Sequence, residues 1–108
     1  MIDQLLHRGH PFTALFAFND VSAIGAIHSL REAGLRVPED VSVVGFDDIP
    51  LAAFQNPALT TVRQPLEQMG ATAARALLDR IQGATEFPDE ILVEPELAVR
   101  KSTGPARK

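Results

Sequence analysis

The sequence predicts an α/β fold in which a parallel sheet is flanked by helices. Residues 13–18 and 41–46 are short apolar segments, and such continuous runs are typical of strands buried on both faces. Between them, from Val21 to Ala33, apolar residues recur at three- and four-residue steps, as on one face of a helix. Strand, helix and strand in this order form a βαβ unit, so we expect the two strands to run parallel.

The second half of the chain is predicted to contain one longer helix and further extended segments. Pro65 suits the first turn of a helix, which is expected to run to Gln82 and to end before a glycine. Its apolar stripe must pack against another surface and consists of Leu66, Met69, Ala73, Leu77 and Ile81. After a loop at Phe87, Pro95 is predicted to separate two short strands, and a loose tail is expected from Lys101.

Composition narrows the class of protein. Hydrophobic residues make up 45% of the chain and charged residues 22%, as in folded, water-soluble domains. The net charge of -4 disfavours direct nucleic-acid binding, and the cations near the end are expected to be solvated: Arg100, Lys101, Arg107 and Lys108. The lack of cysteine fits a reducing cytoplasm. Residues 1–8 contain no long apolar run, so we expect neither a signal peptide nor a membrane span. We therefore expect a cytoplasmic protein.

Polar residues follow both strands of the βαβ unit. Asn19 and Asp20 come after the first strand, and Asp47 and Asp48 after the second. Because the carboxyl ends of parallel strands share one edge of the sheet, these side chains should meet where ligands of open α/β sheets bind. Either Asn19 or Asp20 could also simply cap the intervening helix.

Three interpretations of this polar cluster differ in chemistry. Asp20, Asp47 and Asp48 could hold magnesium for phosphoryl transfer, but no lysine precedes Lys101 to bind a phosphoryl oxygen. A carboxylate and a carboxamide could instead bind the adjacent hydroxyls of a sugar or nucleoside. Phe18 and Phe46 could stack on its ring, although alternation favours core positions. A purely structural role, capping a helix and starting a turn, stays open beside the ligand interpretation.

Nothing in the sequence argues for catalysis, and we expect neither a cofactor nor a metal. His7 and His10 flank a glycine without a neighbouring carboxylate or thiolate, which is rarely a metal site. His28 aligns with Ile24 on a helix face away from the core, so it is either solvated or in a subunit contact. No serine lies in a nucleophile-elbow pattern, and we expect a protein that is not an enzyme.

The sequence resembles the lactose-repressor (LacI/GalR) family of transcriptional regulators from about Pro11 to Thr103. Three stretches carry the resemblance: Ala17-Phe18-Asn19-Asp20 with the following small residues, the long motif of residues 35–48, and residues 57–65. The resemblance implies the carboxyl-terminal part of a two-lobed, periplasmic-binding-protein-like effector domain. Residues 1–62 and about 96–103 would form one lobe, and residues 63–95 an element of the amino-terminal lobe.

The resemblance also implies residue roles. Asn19 and Asp47 would contact a sugar-like or nucleobase-like effector, with Gln64 as a third contact, while Asp20 shapes the start of the helix. Residues at or near the dimerisation surface would be Ile24, His28, Phe54 and Gln55. Because family members are about three times longer, the helix-turn-helix that contacts DNA is expected to lie outside this sequence. A fragment of a periplasmic-type sugar transporter is the alternative.

Two physical consequences are expected from the part of the domain that this sequence covers. The stripe on the helix from Pro65 to Gln82 would lack its partner, so self-association into a homodimer or larger oligomer is predicted. Effector binding is predicted to be weak or absent, because one lobe alone does not enclose a ligand.

Overall fold

The computed structural model describes residues 1–9, 11–86, 88 and 90–108. His10 and the loop predicted at Phe87 fall outside these residues. The elements, in chain order, are α1 (Ile2–His7), β1 (Ala14–Phe16), α2 (Asp20–Glu32), β2 (Ser42–Asp47), α3 (Pro50–Phe54), β3 (Thr60–Arg63), α4 (Leu66–Ile81) and β4 (Glu96–Ala98). Across the described part of the chain, no helix is long and apolar enough to cross a membrane.

The chain divides into two compact units. The first comprises Met1–Arg63 and Leu97–Lys108, and the second comprises Gln64–Glu96. The chain thus leaves the first unit directly after β3 and returns to it within β4.

The sheet has the strand order β1-β2-β3-β4. β1 pairs with β2 in parallel, with Phe16 opposite Val44, and β2 pairs with β3 in parallel, with Asp47 opposite Arg63. The predicted α/β class and the parallel βαβ unit are confirmed. Parallel pairing places the carboxyl ends of β1, β2 and β3 at one edge.

The core of the first unit forms where α2 packs against β2. The buried face of α2 has the predicted helical period, and it consists of Ala23, Ala26, Ile27 and Leu30. Opposite it, Val41, Val43 and Leu59 are almost entirely buried. Burial of such aliphatic side chains, each contributing about 1.5–3 kcal/mol, holds the helix to the sheet.

The prediction that the first strand is buried on both faces is wrong. β1 is an edge strand, and the exposed fraction of Phe16 is 66%. An apolar run favours an extended backbone, but burial depends on what covers the strand, which neighbouring residues in sequence do not specify.

The prediction of a loose tail from Lys101 is also wrong. Ser102 is fully buried; its hydroxyl donates to the carbonyl of Val43 at 2.6 Å and accepts from the amide of Thr60 at 2.8 Å. The backbone carbonyl of Ser102 accepts from the amide of Val43 at 2.8 Å. The segment docks because it satisfies backbone groups of buried strands, which are costly to leave unpaired.

In the second unit, α4 has the predicted position and ends at the predicted glycine. Gln82 caps it, and Gly83 has a φ of 95°, a conformation that glycine adopts readily. No residue of α4 is buried, and its apolar stripe is largely exposed, with Leu77 at 61% and Ile81 at 71%.

Only the second of the two strands predicted around Pro95 forms. Residues 91–95 are not a strand, and Leu92 is 86% exposed. The segment therefore lacks the buried face that stabilises an extended apolar run.

Candidate functional site at the carboxyl edge of the sheet

Asn19 and Asp47 occupy equivalent places at the carboxyl edge. Phe16 and Val44 are partners in the β1–β2 register, and the amide of Ala17 donates to the carbonyl of Val44 at 2.8 Å. Asn19 lies three residues beyond Phe16, and Asp47 three residues beyond Val44. The structure therefore brings these two predicted residues to the same edge.

Asn19 is the N-cap of α2. Its backbone is extended, and its side-chain oxygen accepts from the amide of Ser22 at 2.8 Å. Such a cap contributes about 1 kcal/mol to helix stability. The contact uses the carboxamide oxygen, whereas the NH₂ group of the same side chain can donate two hydrogen bonds. The capping contact thus involves only the oxygen of the Asn19 carboxamide.

Asp47, the last residue of β2, and Asp48, which follows it, have an unusual backbone conformation, and these two residues are called the turn after β2 below. Their φ angles are 116° and 56°, in the region that non-glycine residues seldom occupy. Such residues cost about 1–3 kcal/mol each and persist where surrounding contacts hold them. The turn therefore requires specific anchors, which Asp48 and Asp20 supply.

Asp48 is the first anchor. Arg63 Nε donates to one oxygen of its carboxylate at 2.7 Å, and Arg100 Nη2 donates to the other at 2.8 Å. Burial raises the pKa of Asp48, but the hydrogen bonds and charges of the two guanidinium groups outweigh burial and lower it overall. The expectation that Arg100 is a solvated cation is therefore wrong.

Asp20 is the second anchor. Its side chain is buried; one oxygen accepts from the amide of Ile49 at 2.8 Å and the other from the hydroxyl of Thr61 at 2.5 Å. Asn19 alone provides the helix cap, so Asp20 does more than shape the start of α2: it connects α2 to the turn after β2 and to β3. Gly45 lies so close that a Cβ there would overlap the Asp20 carboxylate.

These contacts bear on the magnesium interpretation. Both oxygens of Asp20 and both oxygens of Asp48 already accept hydrogen bonds from protein donors. Among the described residues, no group of three or more histidine, aspartate or glutamate side chains is arranged to hold a metal ion. The arrangement instead holds the turn of which Asp47 is the first residue.

The other residues predicted near the site are Phe18, Phe46 and Gln64, and they differ in exposure and in the unit to which they belong. The side chain of Phe18 is 88% exposed, so the preference for a core position is wrong for this residue, while Phe46 is half-buried. The exposed Phe18 side chain directly precedes Asn19 in the sequence. Gln64 directly follows β3 and belongs to the second unit.

The residues predicted for a dimer surface differ in exposure. Phe54 is 82% exposed, and the exposed His28 lies 3.4 Å from Glu32 through its Nε2 atom. Ile24 and Gln55 are half-buried, and Ile24 packs against the core. His28 and Phe54 are therefore the more accessible members of this set.

Three residues that support the site were not predicted from the sequence, namely Thr61, Arg63 and Arg100. Each binds an acidic side chain that is 15 to 52 positions away along the chain. The available signal was indirect: two adjacent aspartates at a strand end need cations if they are half-buried, and the arginines at the end of β3 and just after β4 could supply them.

A separate cavity lies within the second unit. It has a volume of about 360 Å³ and is lined on one side by residues of α4, among them Ala71 and Ala76, and on the other by Ala84, Glu86, Pro88 and Ile91. Its lining is mainly apolar and includes Arg75 and Asp79. It is a rival location for a small molecule, remote in sequence from Asn19 and Asp47.

The chain has relatives of known class. The sequence profile of the periplasmic binding protein-like domain family matches residues 1–103. The chain is 51% identical over 98 residues to the HTH-type transcriptional regulator MalR of Streptomyces coelicolor, covering 91% of this chain and 28% of that protein. The chain therefore spans less than a third of the length of this curated relative.

Solved structures agree in fold. The transcriptional regulator CelR in complex with cellobiose matches with a TM-score of 0.86 and 44% identity over 94% of this chain and 31% of that one. A dimeric Lac repressor matches with a TM-score of 0.90 and 36% identity over 98% of this chain and 39% of that one.

The names of these relatives indicate a regulator rather than an enzyme or a transport protein. They are transcriptional regulators rather than enzymes, and they do not favour the transport-protein alternative. The chain belongs to the periplasmic-binding-protein-like domain family, within the effector domains of LacI/GalR-type transcriptional regulators.

Proposed function

We propose that this chain is the effector-sensing part of a LacI-type transcriptional regulator and that a sugar-like small molecule binds at the carboxyl edge of its sheet. The observation that carries the proposal is the equivalent placement of Asn19 and Asp47, each three residues beyond a paired residue of two adjacent parallel strands. The cellobiose complex of CelR supports the sugar class by similarity.

The chemistry of the two side chains suits a polyol. The Asp47 carboxylate accepts hydrogen bonds from hydroxyl groups, and the Asn19 carboxamide donates through the nitrogen that its capping role leaves available. Phe18, which is exposed, can stack on the apolar face of a sugar ring. Gln64 is proposed as a third contact, able both to donate and to accept.

The proposed role in the whole regulator follows from the division of the chain. Residues 1–62 and about 96–103 are assigned to one lobe of the effector domain, and residues 63–95 to an element of the other; the two compact units support this assignment.

The net charge of -4 gives no basic surface for DNA binding, so DNA contact is assigned to a helix-turn-helix outside this sequence. The whole regulator is proposed to be cytoplasmic.

Homodimerisation is proposed as well. The matched Lac repressor is described as dimeric, and Ile24, His28, Phe54 and Gln55 are the proposed contact residues. The high exposure of Phe54 supports this surface, because a large apolar side chain gains free energy when a partner covers it.

The ligand site is tested by titrating the isotopically labelled chain with a panel containing a pentose, cellobiose and a purine nucleoside, following amide NMR signals. Weak binding, on the order of millimolar, is expected, because one edge does not enclose a ligand. Shifts should concentrate near Asn19 and Asp47. Shifts spread evenly over the chain, or none for any compound, would contradict the proposal.

Matched variants assign the binding to side chains. Asn19→Asp keeps an oxygen to cap α2 but removes the NH₂ donor, and Asp47→Asn keeps the size of the side chain but removes its charge. Both should weaken sugar binding. Asp3→Asn, in α1, is the control and should bind like the wild type.

A further inference from the structure

The Asp48 carboxylate is held from two directions. Arg63, at the end of β3, donates to Oδ2 at 2.7 Å, and Arg100, after β4, donates to Oδ1 at 2.8 Å. The side chains of Asp48 and Arg100 are only 12% and 18% exposed. Charge-assisted hydrogen bonds at this depth are stronger and more directional than surface ion pairs.

Arg100 is itself fixed to the first unit. Its Nη1 donates to the carbonyl of Leu59 at 2.9 Å, and its backbone amide donates to the hydroxyl of Thr60 at 2.9 Å. The guanidinium group therefore joins the start of β3 to Asp48 and has little freedom to move. A lysine would not reproduce this geometry, because a single ammonium nitrogen would replace the two planar guanidinium nitrogens that contact Leu59 and Asp48 separately.

Asp47 and Asp48 belong to the same turn, and Asp48 is its last residue. Both residues have positive φ angles, 116° and 56°, and the next residue, Ile49, donates its amide to Asp20. The turn is thus anchored after Asp48 by Asp20 and at Asp48 by the arginines. If the arginine anchor were lost, the turn could relax toward more common backbone angles and Asp47 would move.

We propose that Arg100 and Asp48 are positioning residues of the effector site, which hold the strained turn so that the Asp47 carboxylate faces its ligand. This inference rests on the proposed function. It means that the segment after β4 helps to orient the Asp47 carboxylate, although its residue Arg100 is 52 positions from Asp48 along the chain. The charged groups that contact Asp48 are Arg63 and Arg100.

The test compares Arg100→Met and Arg100→Lys with Arg107→Met in the whole chain. Arg107 pairs with Asp40 at 3.7 Å, so its variant also loses an ion pair of the terminal segment but not at the turn. Three quantities are measured: sugar affinity, the amide signal of Asp47 and the pH titration of the Asp48 carboxyl by carbon NMR. Urea denaturation reports global stability separately.

We expect Arg100→Met to shift the Asp47 amide, to move the Asp48 titration to higher pH and to weaken sugar binding by roughly tenfold, the lower end of the effect that loss of an outer-shell partner has at metal sites. Arg100→Lys should lie between this variant and the wild type, and Arg107→Met should match the wild type in all three quantities. Unchanged affinity and an unchanged Asp47 signal in a folded Arg100→Met protein would overturn the proposal.

The experiment separates this inference from the proposed function. If the wild-type chain binds no compound of the panel, the proposed function fails. The Asp47 amide and the Asp48 titration then still decide whether Arg100 positions the turn, since neither measurement needs a ligand. If Arg100→Met does not fold, the Arg100→Lys protein supplies the same three comparisons.

Discussion

The buried Asp20 carboxylate accepts a hydrogen bond of 2.5 Å from the hydroxyl of Thr61, 41 positions away along the chain. The contact connects the first residue of α2 with β3, and the other oxygen of Asp20 binds the amide of Ile49 after β2. Three elements that meet at the carboxyl edge are therefore joined through one side chain. Its neighbour Asn19 and the turn at Asp47 depend on this connection for their placement.

Thr61→Val is expected to lower the free energy of unfolding by about 1–3 kcal/mol, because it leaves a buried carboxylate oxygen without its donor. Urea denaturation measures the change. Thr13→Val is the control: Thr13 is half-buried and contributes its backbone carbonyl to Ser42, which the substitution preserves. Equal effects of the two substitutions would show that the Asp20–Thr61 contact contributes little.

Gly45→Ala is expected to destabilise the protein by about 1–3 kcal/mol, the usual cost of overpacking a core. A Cβ at this position would overlap the Asp20 carboxylate and lie 3.0 Å from the side chain of Leu59. Gly25→Ala in α2 is the control, since its Cβ would meet nothing within 4 Å, and it should stabilise the helix by up to about 1 kcal/mol. Thermal unfolding distinguishes the two; a neutral Gly45→Ala would argue against this packing.

The pH dependence of stability should include a contribution from Asp40. The side-chain hydrogen bond from Arg36 lowers the pKa of Asp40 from 3.8 to about 2. Because the folded-state pKa is depressed, the stabilisation is present above about pH 4 and is lost as the pH falls towards 2. Asp40→Asn should therefore show a shallower decline of stability over this range, in urea denaturation at a series of pH values. An Asp40 carboxyl that titrates near 3.8 in the folded protein would refute the assignment.

The chain is expected to self-associate, because the apolar stripe of α4 is exposed, as is Phe54. Size-exclusion chromatography with light scattering should show a dimer or larger species. Paired substitution of Leu77 and Ile81 by glutamine tests the stripe, and Phe54→Ser tests the other surface. A stable monomer at every concentration would contradict the prediction.

Local signals account for the parts of the fold that could be predicted. The helical period from Val21 to Ala33 predicted α2, and Pro65 and Gly83 predicted the limits of α4, because these features act within a few residues of chain. The common edge of Asn19 and Asp47 followed from the parallel βαβ rule alone.

Partners distant in sequence account for the rest. Arg100 and Ser102 belong to a short polar segment whose composition is that of a solvated tail, yet their partners Asp48 and Val43 are 52 and 59 positions away. Whether such donors are solvated or buried depends on which strands lie beside them. The exposure of Phe18 likewise depends on what covers the sheet edge, which an apolar pattern does not specify.

A sugar is proposed to bind at the edge of the sheet where Asn19 and Asp47 lie. The most direct measurement is an isotope-filtered NOE experiment on the labelled chain with an excess of unlabelled cellobiose. We predict NOEs from the sugar ring protons to the side-chain amide of Asn19 and to the β protons of Asp47. NOEs confined to Thr72, Ala76 and their neighbours around the cavity of the second unit would contradict it.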